Sequence, residues 1–135
     1  MNVTEIVEFL KSQSFSFRPD IRPAYSNKPI TKFPLVAISL SKTDTLVIGN
    51  ENKQVTVMVM LDMYAKDCEF EGKRYEAGQI IEILSDELDK SIKTQYGMTR
   101  ISQIDLTRSG KENTISRFAV RYQGLLSDDG YIYKR

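Results

Sequence analysis

The most regular hydrophobic pattern in the chain lies in residues 54–93, where a long apolar run precedes a helical stripe. Residues 55–64 are rich in β-branched and thioether side chains, and most positions on both sides of the pleat are apolar. The run predicts a central strand. It is either covered on both faces, or covered on one face and pressed against a partner subunit on the other. The charged residues 68–73 that follow predict a turn.

The helical stripe consists of apolar residues at spacings of three and four, while most acidic residues lie off it. Its members are Ala77, Ile80, Ile81, Leu84 and Leu88. Burial of each large member contributes roughly 1.5–3 kcal/mol, so this helix should lie on the sheet that the preceding strand forms. Cations at residues 90–93 suit the end of the helix, and Gly97 is the expected breaker.

The N-terminal third combines a short helix with a long loop. Residues 4–11 predict a helix with Thr4 as its N-cap, and residues 15–19 predict an edge strand that Pro19 ends. Residues 19–34 hold all four prolines and predict an extended, proline-rich loop. Residues 33–40 predict another strand, followed by turns at 41–44 and 49–52 around a short apolar piece.

The C-terminal part alternates between apolar and polar residues and predicts a β-hairpin. Its strands are residues 99–108 and 113–125, with a bulge near Ser102 and a short last strand at 131–133. Phe118, Val120 and Tyr122 share the covered face, and the opposite face carries Arg117 and Arg121.

These elements predict one α+β domain spanning residues 1–135. A mixed, mostly antiparallel sheet packs against one main amphipathic helix and a short N-terminal helix, and the hairpin closes the chain.

The proline-rich loop is long for a compact domain, and loops of this length are usually functional or mobile. Ile21, Tyr25 and Ile30 are apolar residues in this otherwise polar segment. Either they pin the loop onto its own core, which is the simpler interpretation, or they dock on a neighbouring subunit.

The formal charge of the chain is +1, but it is unevenly distributed. Residues 1–32 carry +2, residues 33–97 carry −4 and residues 98–135 carry +3. Internal pairing is the simpler explanation. The alternative is that the acidic side of one subunit meets the basic side of the next, head to tail.

The composition favours a protein without catalytic chemistry. The chain has no histidine, which removes the commonest general base and most zinc ligand sets. The single cysteine, Cys68, lies between Asp67 and Glu69, whose charges disfavour a thiolate. The glycines are scattered singly and form no phosphate-binding loop. We therefore expect no catalytic, cofactor or metal site, and no enzyme.

Several observations bear on location and on large partners. No apolar run approaches the roughly 20 residues that span a bilayer, and no secretory signal is recognisable, so the expected location is cytoplasmic. Arg100, Arg108, Arg117 and Arg121 raise the question of a nucleic-acid face. Because Tyr122 shares the covered side of its strand, a solvated or subunit-contact face is the better interpretation, without specific nucleic-acid binding.

The order of elements resembles the tail terminator, or tail completion, proteins of long-tailed bacteriophages and their prophages. The most similar part is the closing sequence, from RISQI at residues 100–104 through RFAVRY at 117–122 to DGYIY at 129–133. The resemblance implies a structural protein whose subunits form a hexameric ring. Such a ring caps the tail tube and offers a surface for the head connector, first in the host bacterial cytoplasm and then in the virion tail.

The resemblance carries over no residue-level site, so the candidate subunit contacts come from charge and exposure. They are Tyr25 and Ile30 of the loop, and Arg117 and Arg121 against Glu82 and Asp86. The alternatives are another phage neck, baseplate or head-completion component, and a non-viral module that binds a peptide or small ligand.

Overall fold

A computed structural model describes residues 2–46, 53–107 and 115–126. The elements in these residues are α1 (Val3–Lys11), β1 (Asp20–Pro23), β2 (Leu35–Leu46), β3 (Lys53–Ala65), β4 (Cys68–Phe70), β5 (Lys73–Tyr75), α2 (Ala77–Tyr96), β6 (Thr99–Asp105) and β7 (Ser116–Leu126). Five of the strands form one sheet in the order β1-β2-β3-β7-β6. In this sheet β1 runs parallel to β2, and the other neighbours are antiparallel. The predicted α+β fold is confirmed.

The predicted central strand is β3, which lies in the middle of the sheet. Its alternate residues Val57, Val59, Leu61 and Met63 are buried and belong to one core with the apolar residues of both helices. The residues between them are only half-buried. Both helices therefore cover the same face of the sheet, and no described element covers the opposite face, called the open face below.

The predicted helical stripe is confirmed in α2, because all five of its residues are buried. The helix is longer than predicted: Ile92 is also buried, and the helix continues to Tyr96. Gly97 ends it in the left-handed region, at φ 66°. At the other end, a carboxylate oxygen of Asp67 accepts a hydrogen bond from the Ala77 amide at 2.8 Å, which satisfies one free amide of the helix.

The boundaries of the N-terminal elements differ from the prediction. Helix α1 begins at Val3, and its N-cap is Asn2 rather than Thr4 because the Asn2 side-chain oxygen accepts a hydrogen bond from the Glu5 amide at 2.9 Å. The predicted edge strand at 15–19 is wrong: the edge strand is β1, which begins after Pro19. Residues 15–19 instead include a turn. This turn buries Phe17, whose ring centroid lies 4.9 Å from that of Tyr75.

Strand β2 runs through the predicted turn at residues 41–44. Every residue from Leu35 to Leu46 has a register partner on β3, so long-range pairing overrides the polar, turn-like composition. The predicted turn at 68–73 is a small hairpin of β4 and β5, with Glu71 and Gly72 at positive φ. The pieces predicted at 49–52, 109–113 and 131–133 lie outside the described residues, as does Arg108.

The C-terminal strands β6 and β7 pair as predicted, with a register shift between Arg100 and Ser102 where the bulge was expected. Val120 and Tyr122 belong to the helix-covered core, and Phe118 packs against it. Alternation then places Arg117 and Arg121 on the open face.

Candidate interaction surfaces

Three places on the surface combine polar and apolar side chains that lie outside the core. The first is the stretch of residues 24–34 between β1 and β2, called the arm. The second is the open face of the sheet. The third is a groove between α2 and the β6–β7 edge of the sheet.

The arm is anchored at its base by Arg22. The guanidinium of this residue forms an ion pair with Asp20 and donates a hydrogen bond from Nη1 to the Lys28 carbonyl at 2.8 Å. The Ser26 amide donates to the Pro23 carbonyl at 3.0 Å, which closes a turn at the start of the arm. These bonds explain how a segment without helix or strand keeps a defined course.

The arm presents its apolar residues outward. Tyr25 is 76% exposed and Ile30 is 51% exposed, whereas Ile21, on the neighbouring strand β1, is buried in the core. Of the two interpretations of these residues, pinning to the core is correct for Ile21 only. Lys28 and Lys32 are exposed beside Ile30 and form no ion pair within the described residues.

An ion pair between Arg117 and Asp62 lies at the centre of the open face. Arg117 donates from Nε to Asp62 Oδ1 at 3.1 Å and from Nη2 to Asp62 Oδ2 at 2.7 Å. The Tyr64 hydroxyl donates to Asp62 Oδ2 at 3.2 Å, and the guanidinium carbon of Arg117 lies 5.1 Å from the centre of the Tyr64 ring. The hydrogen bonds to Asp62 raise the pKa of Arg117, and burial followed by the Asp62 charge raises the pKa of Tyr64.

Around this pair, the open face is a mixture of apolar and basic groups. Met58 and Met60 alternate with the buried residues of β3, and both remain half-buried. Ile104 on β6 is 42% exposed and is in register with the buried Ala119. Arg121, opposite Met60, is exposed and forms no ion pair within the part of the chain that the structure describes.

The groove lies on the helix-covered side, at the β6 edge of the sheet. Its volume is about 320 Å³, and the residues that line it include Gly78, Ile81, Glu82, Asp86 and Phe118. Glu82 and Asp86 are exposed, one helical turn apart, and have no ion-pair partner among residues 2–46, 53–107 and 115–126. A Cβ atom added at Gly78 would meet no heavy atom within 4 Å, so this end of the groove is open.

A network around Arg100 forms another part of the groove wall. Arg100 forms an ion pair with Asp89 and donates from Nη2 to the Ser85 hydroxyl and from Nη1 to the Gln103 side-chain oxygen, both at 2.7 Å. The Tyr122 hydroxyl also donates to Asp89. Burial lowers the pKa of Arg100, but its bonds and charge interaction with Asp89 outweigh this and raise the pKa overall.

The pKa of Tyr122, which also contacts Asp89, is raised above its ordinary value. Burial is the main cause that raises the pKa of Tyr122, and its hydrogen bond to Asp89 adds to the effect. Since Asp89 neutralises Arg100, the unpaired charges of the groove are those of Glu82 and Asp86. The network therefore fixes β6 on α2 and leaves the groove acidic.

The structure brings only some of the predicted contact residues together. Arg117 and Arg121 share the open face, but Glu82 and Asp86 lie on α2, on the other side of the sheet. The two sets do not meet within one molecule, so any pairing between them requires a second copy. Arg100 lies on the helix-covered side with Asp89, so the four arginines considered for a nucleic-acid face do not share one face of the hairpin.

The sequence analysis did not single out the residues that give these surfaces their shape. The two lysines of the arm were missed because they lie in an irregular segment. Their positions on either side of Ile30 were nevertheless visible in the sequence. Met58 and Met60 were hidden in an apolar run that gave no indication of which side would be covered. The groove had no local signal, because its lining residues Ile81 and Phe118 lie 37 positions apart in the sequence.

Within the described residues, no group of three or more Asp, Glu or Cys side chains is arranged to hold a metal ion. None of the helices in these residues is long and apolar enough to cross a lipid bilayer. No protein-family model matches the chain, and the search of curated proteins found no significant relative.

Proposed function

We propose that this protein is a structural component of a phage tail. It assembles into a ring that caps the tail tube and provides the surface for joining the head. The observation that carries the proposal is the one-sided coverage of the sheet. Both helices lie on one face, and the open face keeps the half-buried Met58 and Met60 in the middle of the domain. Half-buried apolar groups at the centre of a sheet are typical of surfaces that another protein covers.

The charged groups also support an assembly role rather than catalysis. Asp62 and Asp89 each neutralise an arginine of the C-terminal strands. The Asp62 pair joins β3 to β7, and the Asp89 pair joins α2 to β6. The charges that remain unpaired, such as those of Glu82, Asp86 and Arg121, lie at the surface where a partner would meet them.

The resemblance of the sequence to tail terminator proteins implies the ring, the tube and the head connector as partners. A ring contact between different patches of identical subunits is heterologous, and it closes when the rotation between neighbours divides a full turn. Unpaired charges of opposite sign on different sides of the subunit suit such a contact.

The test is the assembly state of the pure protein, measured by light scattering after size-exclusion chromatography and by electron microscopy. We expect a discrete ring and, when tail tubes of the same phage are added, rings bound at the tube ends. Rings that bind portals or baseplates instead of tubes would favour another neck, baseplate or head-completion component.

A monomeric ligand-binding module is the second candidate, and a basic pocket beside the arm favours it. This pocket of about 360 Å³ lies between the end of α1, the turn that follows it and the end of the arm, with Lys11, Arg18 and Lys32 among its lining residues. A protein that stays monomeric at high concentration and whose melting temperature rises saturably with an anionic ligand would support this function over assembly.

A further inference from the structure

The arm and the groove lie at opposite edges of the sheet. The arm joins β1 to β2, whereas the groove is bordered by β6, the last strand at the other edge. Four strand spacings of about 4.8 Å place β1 and β6 roughly 19 Å apart. In the structure, Tyr25, Lys28, Ile30 and Lys32 of the arm are exposed and the groove is open.

The arm and the groove are complementary in charge. Lys28 and Lys32 give the arm two unpaired positive charges, because the Arg22 charge at its base is already neutralised by Asp20. Glu82 and Asp86 give the groove two unpaired negative charges, because Asp89 neutralises Arg100. Each surface thus presents a net charge of two units, with opposite signs.

The arm and the groove are also complementary in the position of their apolar groups. Lys28 and Lys32 flank Ile30 in the sequence, and the chain bends only from residue 32 onwards. Pro29 favours an extended backbone at Lys28. The apolar Ile30 is thus bracketed by two lysines, as the half-buried Phe118 lies beside two carboxylates in the groove. A volume near 320 Å³ is at the low end for ligand pockets, so it suits one or two side chains.

We propose that the arm of one copy of this chain occupies the groove of the next copy. Ile30 lies against the half-buried Phe118, and Lys28 and Lys32 pair with Glu82 and Asp86. This inference rests on the proposed function as a self-assembling protein and names the contact that would build the ring. The hydrogen bonds that anchor the arm reduce the conformational entropy that it loses on docking.

This pairing differs from the contact expected from the sequence, in which Arg117 and Arg121 met the acidic residues of α2. Asp62 already neutralises Arg117, so the open face offers one unpaired arginine where the arm offers two lysines. In the proposed contact, Arg121 is left free for a different partner on the open face.

Site-directed cross-linking tests the contact directly. In a Cys68→Ser background, Ile30→Cys is combined with Gly78→Cys, a position where the structure leaves space for the added side chain. On mild oxidation we expect a ladder of covalent multimers that ends at the number of subunits in the ring. The matched control combines Ile30→Cys with Thr94→Cys, which is exposed on the same helix but about 24 Å away along its axis.

A charge exchange provides the second part of the experiment. Lys28→Glu with Lys32→Glu should weaken association at least about tenfold, because like charges then face each other. Adding Glu82→Lys and Asp86→Lys to the same chain should restore it. Unfolding curves of each variant separate a loss of contact from a loss of fold.

The results distinguish the contact from the proposed function. If the unmodified protein forms rings, but the variant with Ile30→Cys and Gly78→Cys cross-links no better than the control variant, the arm–groove contact is wrong and the assembly role stands. If the protein is monomeric at high concentration and no specific cross-link forms, both are wrong. Failure of the fourfold charge exchange to restore association in a folded chain would also overturn the contact.

Discussion

Arg117 and Arg121 provide a matched comparison, because they lie on the same strand and the same face and differ in their partners. Arg117 makes two hydrogen bonds to Asp62, whereas Arg121 forms no ion pair within the described ranges. We predict that Arg117→Met destabilises the fold and that Arg121→Met does not. Methionine keeps most of the apolar length of the arginine side chain and removes the charge.

The magnitude follows from the burial of the pair. The Asp62 side chain is 14% exposed, so it loses much of its contact with water, while Arg117 is 42% exposed and solvent screens part of the interaction. An exposed pair contributes about 0.2–1 kcal/mol, and leaving a buried polar group unpaired costs about 1–3 kcal/mol. We expect Arg117→Met to lower the free energy of unfolding by about 1–1.5 kcal/mol, since the Tyr64 hydroxyl still donates to Asp62.

Urea unfolding at pH 7 measures both variants. Arg121→Met should fall within about 0.5 kcal/mol of the unmodified protein. A double-mutant cycle that combines Asp62→Asn with Arg117→Met should give a coupling energy of about 1 kcal/mol between the two residues. Equal destabilisation by the two arginine variants, or a coupling energy of zero, would contradict the pairing and the face assignment on which the open surface depends.

Two further predictions concern Tyr122 and the glycines of α2. Because the pKa of Tyr122 is raised in the folded state, the stability that this group contributes is lost as the pH rises above about 10, by at most about 1.4 kcal/mol per pH unit. Unfolding measured from about pH 8 to 11 should therefore show a smaller difference between Tyr122→Phe and the unmodified protein at the alkaline end; parallel curves would refute the shift. Gly78→Ala should raise the free energy of unfolding by about 0.5–1 kcal/mol, because the helix gains propensity in open space. Gly97→Ala should lower the free energy of unfolding by about 1 kcal/mol, because the backbone at this position has a φ of 66°, which alanine disfavours. Equal shifts of the melting temperature in the two variants would contradict the roles given to both glycines.

The parts of the fold that could be predicted are those in which burial follows a period. Alternate residues of β3 are buried, and the five stripe residues of α2 are buried without exception. Burial of these residues contributes more free energy than local propensity does, so the pattern survives in the sequence. The position of the bulge was also visible, because Ile101 falls out of phase with Ile104 and Leu106.

The boundaries that failed depend on contacts between distant residues. Ser41 and Lys42 are typical of a turn, yet they are strand residues because β3 pairs with them. Phe15 and Phe17 alternate like a strand, yet Phe17 turns inward to contact the small hairpin of β4 and β5. Neither partner is adjacent in sequence, so local composition carried no information about it.

The interaction surfaces were predictable in part. Tyr25 and Ile30 stood out as apolar residues in a proline-rich segment, but the simpler interpretation pinned them to the core, and the structure leaves both exposed. The internal partner of Arg117 was not predicted, because Asp62 lies 55 residues earlier and the register between β3 and β7 sets the pair. The sequence did contain one signal, because a lone carboxylate in a buried strand, such as Asp62 in β3, needs a cation or a hydrogen-bond donor nearby.

The charged residues of the chain are of two kinds, those paired within the molecule and those left unpaired. This difference bears on the symmetry of assembly. Asp62 and Asp89 account for internal pairing between the acidic centre and the basic C-terminal part. Among the charges that form none of these pairs, two lysines lie on the arm at one edge of the sheet and two carboxylates lie in the groove at the other. A twofold contact through either surface would place like charges against each other, which is unfavourable. A head-to-tail contact places them against opposite charges, so the distribution of unpaired charge favours a ring or filament over a symmetric dimer.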